Sequence, residues 1–383
     1  MMNKQLYPLK FIPIASPRVW GGNALIKTLG KEFVCNDENG DEVRLTENDL
    51  IGESWELADM GEQDSVVSEG WLAGNTIGEI METYLDRISG DAAYSWFGRQ
   101  FPLLIKFLDI HQKLSVQVHP DDEVAAQRYD SLGKAEIWYI LDAQPEAKIY
   151  MGFRKPTSAQ EFYDACKAGT AHELLNVIHP KAGDAIFIKP GTVHAAEGGI
   201  LVAEVQESSD MTFRLYDWGR ENNPATARKM HLEEAIDLIN YNQYDAADYM
   251  PAGSLKSDDG VEYPLVQCPQ FSVSKLDLKA ALRISPEHYG SYIVYICTSG
   301  AAAINVPKRP VEDDSKAAAA FGTSEMDIYP IRKGDTVLVP ADMPDFYLVP
   351  TLPGTELIVA ADGFREDDDE YINPDAAPEL SEE

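Results

Sequence analysis

The stretch that decides the fold of this 383-residue chain is Leu114-Ser115-Val116-Gln117-Val118-His119-Pro120. Valines alternate with polar residues, a pattern typical of a β-strand with one apolar and one polar face. Side chains two residues apart share a face, so Ser115, Gln117 and His119 point the same way. The pattern therefore predicts a strand that carries metal-ligand side chains on one face.

Two later stretches have the same character. In Gly133-Lys134-Ala135-Glu136-Ile137-Trp138 the lysine, glutamate and tryptophan share a strand face, and a carboxylate in an apolar strand is costly unless it is paired. A second strand, Gly183–Pro190, leads to His194. If these strands are neighbours in a barrel, Gln117, His119 and Glu136 converge with His194. Such ligands suit Zn²⁺ and would also accept Fe²⁺, Mn²⁺ or Co²⁺.

Several charged residues follow His194 in the sequence. Glu204 lies in an apolar strand and is a further candidate for a buried functional carboxylate, and Arg214 and Arg220 come soon after it. The arginines could form structural ion pairs in so acidic a protein. With Lys134 they make a better phosphate clamp, because guanidinium binds phosphate in a bidentate way. The combination predicts a site for a phosphorylated, oxygen-rich small molecule.

Composition limits the function classes. The net charge of −32 disfavours nucleic acid and anionic lipid as partners, and a phosphate site needs its own cationic cluster. Four scattered cysteines suggest free thiols in a reducing compartment. The N-terminus lacks the apolar core of a signal peptide, and no run approaches the roughly 20 apolar residues of a membrane span. We therefore expect a cytoplasmic protein.

Short Val-, Ile- and aromatic-rich segments bounded by Gly, Pro and Asp predict a mainly β protein, a sandwich or barrel with a few helices. Three helices are expected, from the capping box at Thr76 to about Arg87, over Ser158–Ile178 with an interruption near Gly169, and over Ala227–Tyr241. Asp245–Gly260 has the composition of a linker.

A second all-β pattern follows, and within it Gly334–Pro340 repeats the Gly-Asp turn and apolar strand of Gly183–Pro190. Pro344 stands where the first copy has His194, so this copy is expected to lack metal ligands. An insert at Pro310–Ser324 is expected to form a mobile loop. We predict a domain over 1–250 that binds metal and has a short helical insert at about 158–178, a second domain over 251–365, and a disordered acidic tail over 366–383.

The chain resembles the type I mannose-6-phosphate isomerases of the cupin superfamily over nearly its whole length. The resemblance rests on the motifs quoted above and on four more, which are Arg18–Gly22, Gly52–Leu57, Pro102–Lys106 and Pro190–Ala195. The segment Arg214–Arg220 looks like the compact bacterial branch. Larger relatives carry a sizeable helical domain where this chain has only Ser158–Ile178.

This resemblance implies two cupin (jelly-roll) β-barrel domains and one Zn²⁺ per chain, bound by Gln117, His119, Glu136 and His194. It implies Arg214 as the catalytic arginine, and it places Ser115, Lys134, Glu204 and Arg220 at substrate-pocket positions. Trp20 and Trp138 are expected to line the pocket, although packing in the core would also explain them.

The implied reaction interconverts mannose 6-phosphate and fructose 6-phosphate through a cis-enediol(ate). We expect Glu204 to move the proton, with Lys134 or a zinc-bound water as alternatives, and Lys134 and Arg220 to hold the phosphate. The rival functions are a sugar-phosphate sensor without turnover and another metal-dependent cupin enzyme, such as an iron dioxygenase or an epimerase. The sequence does not fix the oligomeric state, for which a monomer is favoured.

Overall fold

The computed structural model describes residues 4–36, 41–308 and 325–365. The insert expected at Pro310–Ser324 and the tail expected over 366–383 lie outside the described residues. Internal contacts divide the chain into two compact units. Among the described residues, the first unit comprises 13–36, 41–55 and 103–254, and the second unit comprises 4–12, 56–102, 255–308 and 325–365.

The units are not continuous in sequence. Residues 4–12 and 56–102 precede Ser254 in the chain and belong to the second unit. Leu9, for example, exchanges backbone hydrogen bonds of 2.7 and 2.9 Å with Leu338. Such long-range pairings show where these segments pack.

The described residues are mainly β, as the sequence predicted. In chain order the strands are β1 (Ile14–Gly22), β2 (Val34–Asn36), β3 (Glu42–Arg44), β4 (Ile51–Leu57), β5 (Leu103–Ile110), β6 (Val116–Val118), β7 (Glu136–Ala143), β8 (Lys148–Phe153), β9 (Leu175–Ile178), β10 (Ala185–Ile188), β11 (His194–Glu197), β12 (Ile200–Glu207), β13 (Phe213–Tyr216), β14 (Tyr249–Met250), β15 (Glu262–Gln267), β16 (Phe271–Leu278), β17 (Leu282–Ile284), β18 (Ile293–Ser299), β19 (Ala301–Pro307), β20 (Met326–Arg332), β21 (Thr336–Val339), β22 (Phe346–Pro350) and β23 (Thr355–Asp362). The helices are α1 (Ala24–Lys27), α2 (Ile77–Tyr84), α3 (Asp86–Ser89), α4 (Asp91–Phe97), α5 (Asp122–Tyr129), α6 (Ala159–Ala168), α7 (Leu232–Ala235) and α8 (Pro286–Tyr289).

The first unit is built from two main sheets. One has the order β1-β4-β5-β12-β7-β10-β14, and the other has the order β13-β6-β11-β8-β9. An apolar core joins residues of both sheets, with Ile140 and Val202 from the seven-stranded sheet and Ile149 and Ala196 from the five-stranded one. The two sheets therefore enclose a common interior.

A separate apolar cluster covers the outer face of the five-stranded sheet. There Val116, Val118 and Ala195 pack with Phe162 of α6 and Leu232 of α7. Because side chains alternate along a strand, the residues between them face the interior. The two apolar clusters thus fix the direction in which Gln117 and His194 point.

Two of the predicted helices are shorter than expected. Helix α6 begins after its Ser158 cap and ends at Gly169, whose left-handed φ of 78° terminates it; residues Leu175–Ile178 form strand β9 instead. The helix expected over Ala227–Tyr241 is only the single turn α7. The preceding residues 227–231 are not helical, and the last of them, His231, is held against β13 by a 2.8 Å hydrogen bond from its amide to the Arg214 carbonyl. The capping box at Thr76 is present and begins α2.

The second unit repeats the strand arrangement of the first. Its sheets have the orders β15-β16-β23-β18-β21 and β17-β22-β19-β20. The predicted repeat extends to the hydrogen bonds of its turn. Asp184 accepts from the amide of Lys181 at 2.9 Å, and Asp335 accepts from the amide of Arg332 at 3.0 Å. The turns then lead into β10, which pairs antiparallel with β7, and β21, which pairs antiparallel with β18.

Two further observations concern membrane-spanning helices and the state of the cysteines. No helix in the described ranges is long and apolar enough to cross a membrane. The cysteines, which are Cys35, Cys166, Cys268 and Cys297, are free thiols.

A partly buried carboxyl in the second unit should make stability depend on pH. Asp59 accepts a 2.7 Å hydrogen bond from the Phe101 amide, and burial, with Asp64 and Glu82 nearby, raises its pKa to about 6. The folded state thus favours the protonated acid, so its ionisation costs stability as the pH rises from about 4 through 6. Asp59→Asn should therefore raise the thermal unfolding midpoint more at about pH 7.5 than at about pH 4. An equal shift at both pH values would contradict this assignment.

Candidate metal centre and sugar-phosphate cavity

Strand β6 brings the candidate ligands of the five-stranded sheet together. In the ladder, Gln117 lies opposite His194 of β11 on one side and opposite Arg214 of β13 on the other. His119 follows two residues later on the same face. Glu136 is the first residue of β7 in the seven-stranded sheet. The candidate ligands therefore come from both sheets and meet in the interior of the first unit.

His119, Glu136 and His194 form a buried cluster whose ligand atoms all lie within 4.8 Å of one another. The Oε1 atom of Glu136 lies 3.3 Å from Nε2 of His194 and 3.6 Å from Nε2 of His119. The amide nitrogen of Gln117 lies 3.1 Å from Nε2 of His194. All four side chains predicted to bind the metal are thus brought to one point.

The hydrogen bonds of the two imidazoles show that this cluster suits a cation. Nδ1 of His119 lies 2.9 Å from the Met211 carbonyl, and Nδ1 of His194 lies 3.0 Å from the Thr192 carbonyl. A carbonyl only accepts, so each Nδ1 carries the proton and each Nε2 presents a lone pair. Both lone pairs face the Glu136 carboxylate, which also only accepts. A cation at the centre would satisfy all three groups.

Unpartnered atoms and pKa shifts support the same conclusion. Among the described residues, Nε2 of His119 and both carboxylate oxygens of Glu136 are buried without a hydrogen-bond partner. Burial and the nearby Lys134 ammonium lower the pKa of His119 to about 3, which keeps the imidazole neutral. Burial alone would raise the pKa of Glu136, but the Lys134 ammonium helps to hold it well below its ordinary value. Both groups are therefore in the protonation state that binds metal.

Gln117 can supply an oxygen to the same point. Rotating its amide by half a turn exchanges the positions of its nitrogen and oxygen, so Oε1 can replace the nitrogen that now faces His194. Ser115 donates to the amide oxygen of Gln117 at 3.2 Å and is buried. The structure thus places Ser115 against the candidate ligand, and it is not among the residues that line the adjoining cavity.

A cavity of about 370 Å³ opens beside these ligands, which is large enough for a small polar ligand. Gln117 and Glu136 form part of its wall, and so do the predicted pocket residues Trp20, Lys134, Trp138, Glu204 and Arg214. The Nζ atom of Lys134 lies 3.8 Å from Oε2 of Glu136, so this lysine stands at the metal end of the cavity.

The seven-stranded sheet contributes a buried lysine surrounded by carboxylates. The Nζ atom of Lys106 lies 3.7 Å from Glu204, 3.9 Å from Glu53 and 3.9 Å from Asp210. Burial opposes the charge of Lys106, but these carboxylates raise its pKa above the ordinary value. The lysine therefore stays charged inside the protein and partly neutralises an acidic wall.

Glu204 differs from its neighbours in its protonation. Its Oε1 accepts a 2.7 Å hydrogen bond from the indole Nε1 of Trp138. Burial and the repulsion of Glu136 raise the pKa of Glu204 to about 7, although Lys106 acts in the opposite direction. A carboxyl with this pKa can both take and return a proton near neutral pH.

Part of the cavity wall is basic. Arg214, Arg228 and His231 line it, and Arg214 donates to the Lys229 carbonyl at 2.8 Å. Burial and the neighbouring Arg228 lower the pKa of Arg214 to about 10, so it remains a cation at neutral pH. Arg220 pairs with Asp217 at 2.6 Å and is not among the lining residues.

Lys106, Arg228 and His231 received no role from the sequence. Lys106 could have been found by the signal that identified Glu204, because it is a charged residue in the otherwise apolar stretch Leu103–Phe107. Arg228 and His231 lie in a stretch that the sequence assigned to a helix, and nothing in their spacing indicates a cavity wall.

Comparisons with known proteins identify relatives of this chain. A family model described as the catalytic domain of type I phosphomannose isomerase matches residues 9–155. The mannose-6-phosphate isomerase ManA of Bacillus subtilis is 32% identical over 345 residues, which cover 89% of this chain and 95% of that protein. A mannose-6-phosphate isomerase of Streptococcus mutans is 30% identical and covers 84% of this chain, with 89% of its own length matched.

Solved structures show the same relationship. The mannose 6-phosphate isomerase from Bacillus subtilis superposes with a TM-score of 0.74 at 27% identity, and the match covers 93% of this chain and 99% of that one. A protein from Archaeoglobus fulgidus described as a putative mannosephosphate isomerase shares the fold, with a TM-score of 0.68 at 19% identity over 95% of this chain and 100% of that one. With the relatives at 30% identity or more matched over most of their length, the chain belongs to the type I mannose-6-phosphate isomerase family.

Proposed function

We propose that the chain interconverts mannose 6-phosphate and fructose 6-phosphate, with one Zn²⁺ held by Gln117, His119, Glu136 and His194. The observation that carries the proposal is the buried cluster of lone-pair donors at one end of a polar cavity. The ligand set of two imidazoles, a carboxylate and an amide oxygen suits zinc. When bound, the ion would supply Lewis-acid polarisation of the sugar oxygens at C1 and C2.

The protein's own residues would move the proton. Converting the aldose to the ketose requires removal of the C2 proton and delivery of a proton to C1 through an enediolate. Glu204 is the proposed shuttle, because its pKa of about 7 suits both steps and it lines the cavity. The Trp138 indole orients its carboxylate, and Lys106 keeps a positive charge 3.7 Å away.

Arg214 is the proposed stabiliser of the enediolate. Its position opposite Gln117 in the strand ladder places it next to the metal ligands, and it faces the same cavity. Its Nε atom is buried without a hydrogen-bond partner in the described part of the chain. A fixed guanidinium in a buried site stabilises developing negative charge more strongly than water would.

Removing a metal ligand should abolish both metal binding and turnover. His119→Ala or Glu136→Ala should each leave the purified protein without stoichiometric zinc, because the remaining ligands cannot complete the coordination. Elemental analysis and a coupled assay for fructose 6-phosphate would measure the two effects. His111→Ala, which alters an exposed histidine of the same unit, should change neither. Full turnover in metal-free protein would disprove the proposal.

Glu204→Gln should keep the metal and lower kcat by about 10²- to 10⁴-fold, because the amide cannot accept the C2 proton. Exchange of that proton with solvent deuterium, followed by NMR, separates loss of the base from loss of binding. Lys134→Met should retain measurable exchange. If exchange persists in Glu204→Gln and is lost in Lys134→Met, the base is Lys134.

Arg214→Ala should retain zinc and lose kcat by about 10²- to 10³-fold, as expected for loss of a charge that stabilises the transition state. Arg214→Lys should recover part of this loss, since it restores a cation without the planar guanidinium. A kcat equal to that of the wild type in the alanine variant would remove Arg214 from the mechanism.

A further inference from the structure

The cavity wall carries both carboxylates and guanidiniums. Glu53, Glu204 and Asp210 surround Lys106, and Arg18 pairs with Glu53 at 2.8 Å, so these two cations already lie against carboxylates. Arg214 and Arg228 line the same cavity. A dianionic group entering the cavity therefore has an electrostatic reason to approach these two arginines.

A single carboxylate anchors Arg228 and a second guanidinium. Asp217 is fully buried, and one of its oxygens lies 2.6 Å from both Nη2 of Arg220 and Nη2 of Arg228. Its second oxygen accepts from Nε of Arg228 at 3.0 Å. The carboxylate neutralises only one of these positive charges, and Arg214 adds another. The cluster thus keeps an excess of positive charge within a strongly acidic protein.

Only one of the two arginines paired with Asp217 lines the cavity. Arg228 does so, whereas Arg220 is not among the lining residues. The contact with Asp217 uses Nε and Nη2 of Arg228 and fixes the plane of its guanidinium. The donors of Nη1 extend from the same rigid plane, and a fork held in this way is suited to phosphate oxygens.

His231 adds a neutral donor to the same wall. The Arg214 amide donates to Nδ1 of His231 at 3.1 Å, so Nδ1 is the acceptor and Nε2 carries the proton. The His231 amide donates in turn to the Arg214 carbonyl at 2.8 Å. These reciprocal bonds hold the ring beside Arg214 and orient an N–H group in the cavity wall.

We propose that Arg228, assisted by His231, binds the phosphate group of the substrate and sets the preference for phosphorylated over unphosphorylated sugars. This inference rests on the proposed function, because it takes the substrate to be a sugar phosphate. It assigns to Arg228 the role that the sequence analysis gave to Arg220 and Lys134. The sugar then lies with its reacting carbons at the metal ligands and its phosphate at Arg228.

Arg228→Met tests the assignment, since methionine retains a long apolar side chain without the charge. The KM for mannose 6-phosphate should rise about 10- to 100-fold, as should the inhibition constant of inorganic phosphate. The kcat/KM for unphosphorylated mannose, measured at high substrate concentration, should stay within about twofold of the wild type. Arg228→Lys should give intermediate constants.

Two matched variants separate phosphate binding from loss of an ion pair. Arg220→Met removes the other partner of Asp217 and should raise the phosphate constants much less than Arg228→Met. Arg128→Met removes an exposed pair of equal length, 2.6 Å to Asp237, and should leave every constant unchanged. A larger effect in Arg220→Met, or equal losses for mannose and mannose 6-phosphate in Arg228→Met, would overturn the proposal.

A binding measurement keeps this test independent of the proposed reaction. Inorganic phosphate should raise the unfolding midpoint of the wild-type protein and do so far less in Arg228→Met. Phosphate stabilisation that depends on Arg228 in a protein without isomerase activity would refute the proposed function and leave the subsite standing. The same phosphate stabilisation in both proteins would refute the subsite.

Discussion

The pairing of Gln117 with His194 across β6 and β11 is the contact on which the site depends. It fixes the register between β6 and β11. The register in turn fixes the face of the sheet on which Gln117, His119 and His194 lie. A slip of β6 by one residue would turn Val116 and Val118 into the interior and move Gln117 to the apolar cluster under α6 and α7. The hydrophobic packing on the outer face therefore stabilises the arrangement of polar groups on the inner one.

The interior of the first unit is divided into a dry part and a charged part. Ile140, Ile149 and Val202 fill one part, while Lys106, Glu136 and Glu204 occupy the other within the same two sheets. Buried charges are costly, and here each one lies near a group of opposite sign or at the proposed metal position. The folded structure thus holds these charges beside a cavity that a small polar substrate can enter.

The second unit shows which parts of this design are architectural. It repeats the Gly-Asp turn of the first unit and the hydrogen bonds around it, down to the exchange between the turn and the neighbouring strand. In its copy the residue equivalent to His194 is Pro344. The turn and strand are thus common to both units, whereas the candidate ligand His194 has no histidine counterpart in the second.

The sequence by itself determined that the protein is mainly β, that a capping box lies at Thr76 and that Gly334–Pro340 repeats an earlier turn and strand. These features depend on local periodicity and turn chemistry. It also named the residues that meet in the cluster, since alternation along a strand is a local property. Only the tertiary structure decided that 56–102 packs with the second unit, that α7 is a single turn, and that Lys106, Arg228 and His231 line the cavity. Those features depend on contacts between residues far apart in the chain, which no local pattern encodes.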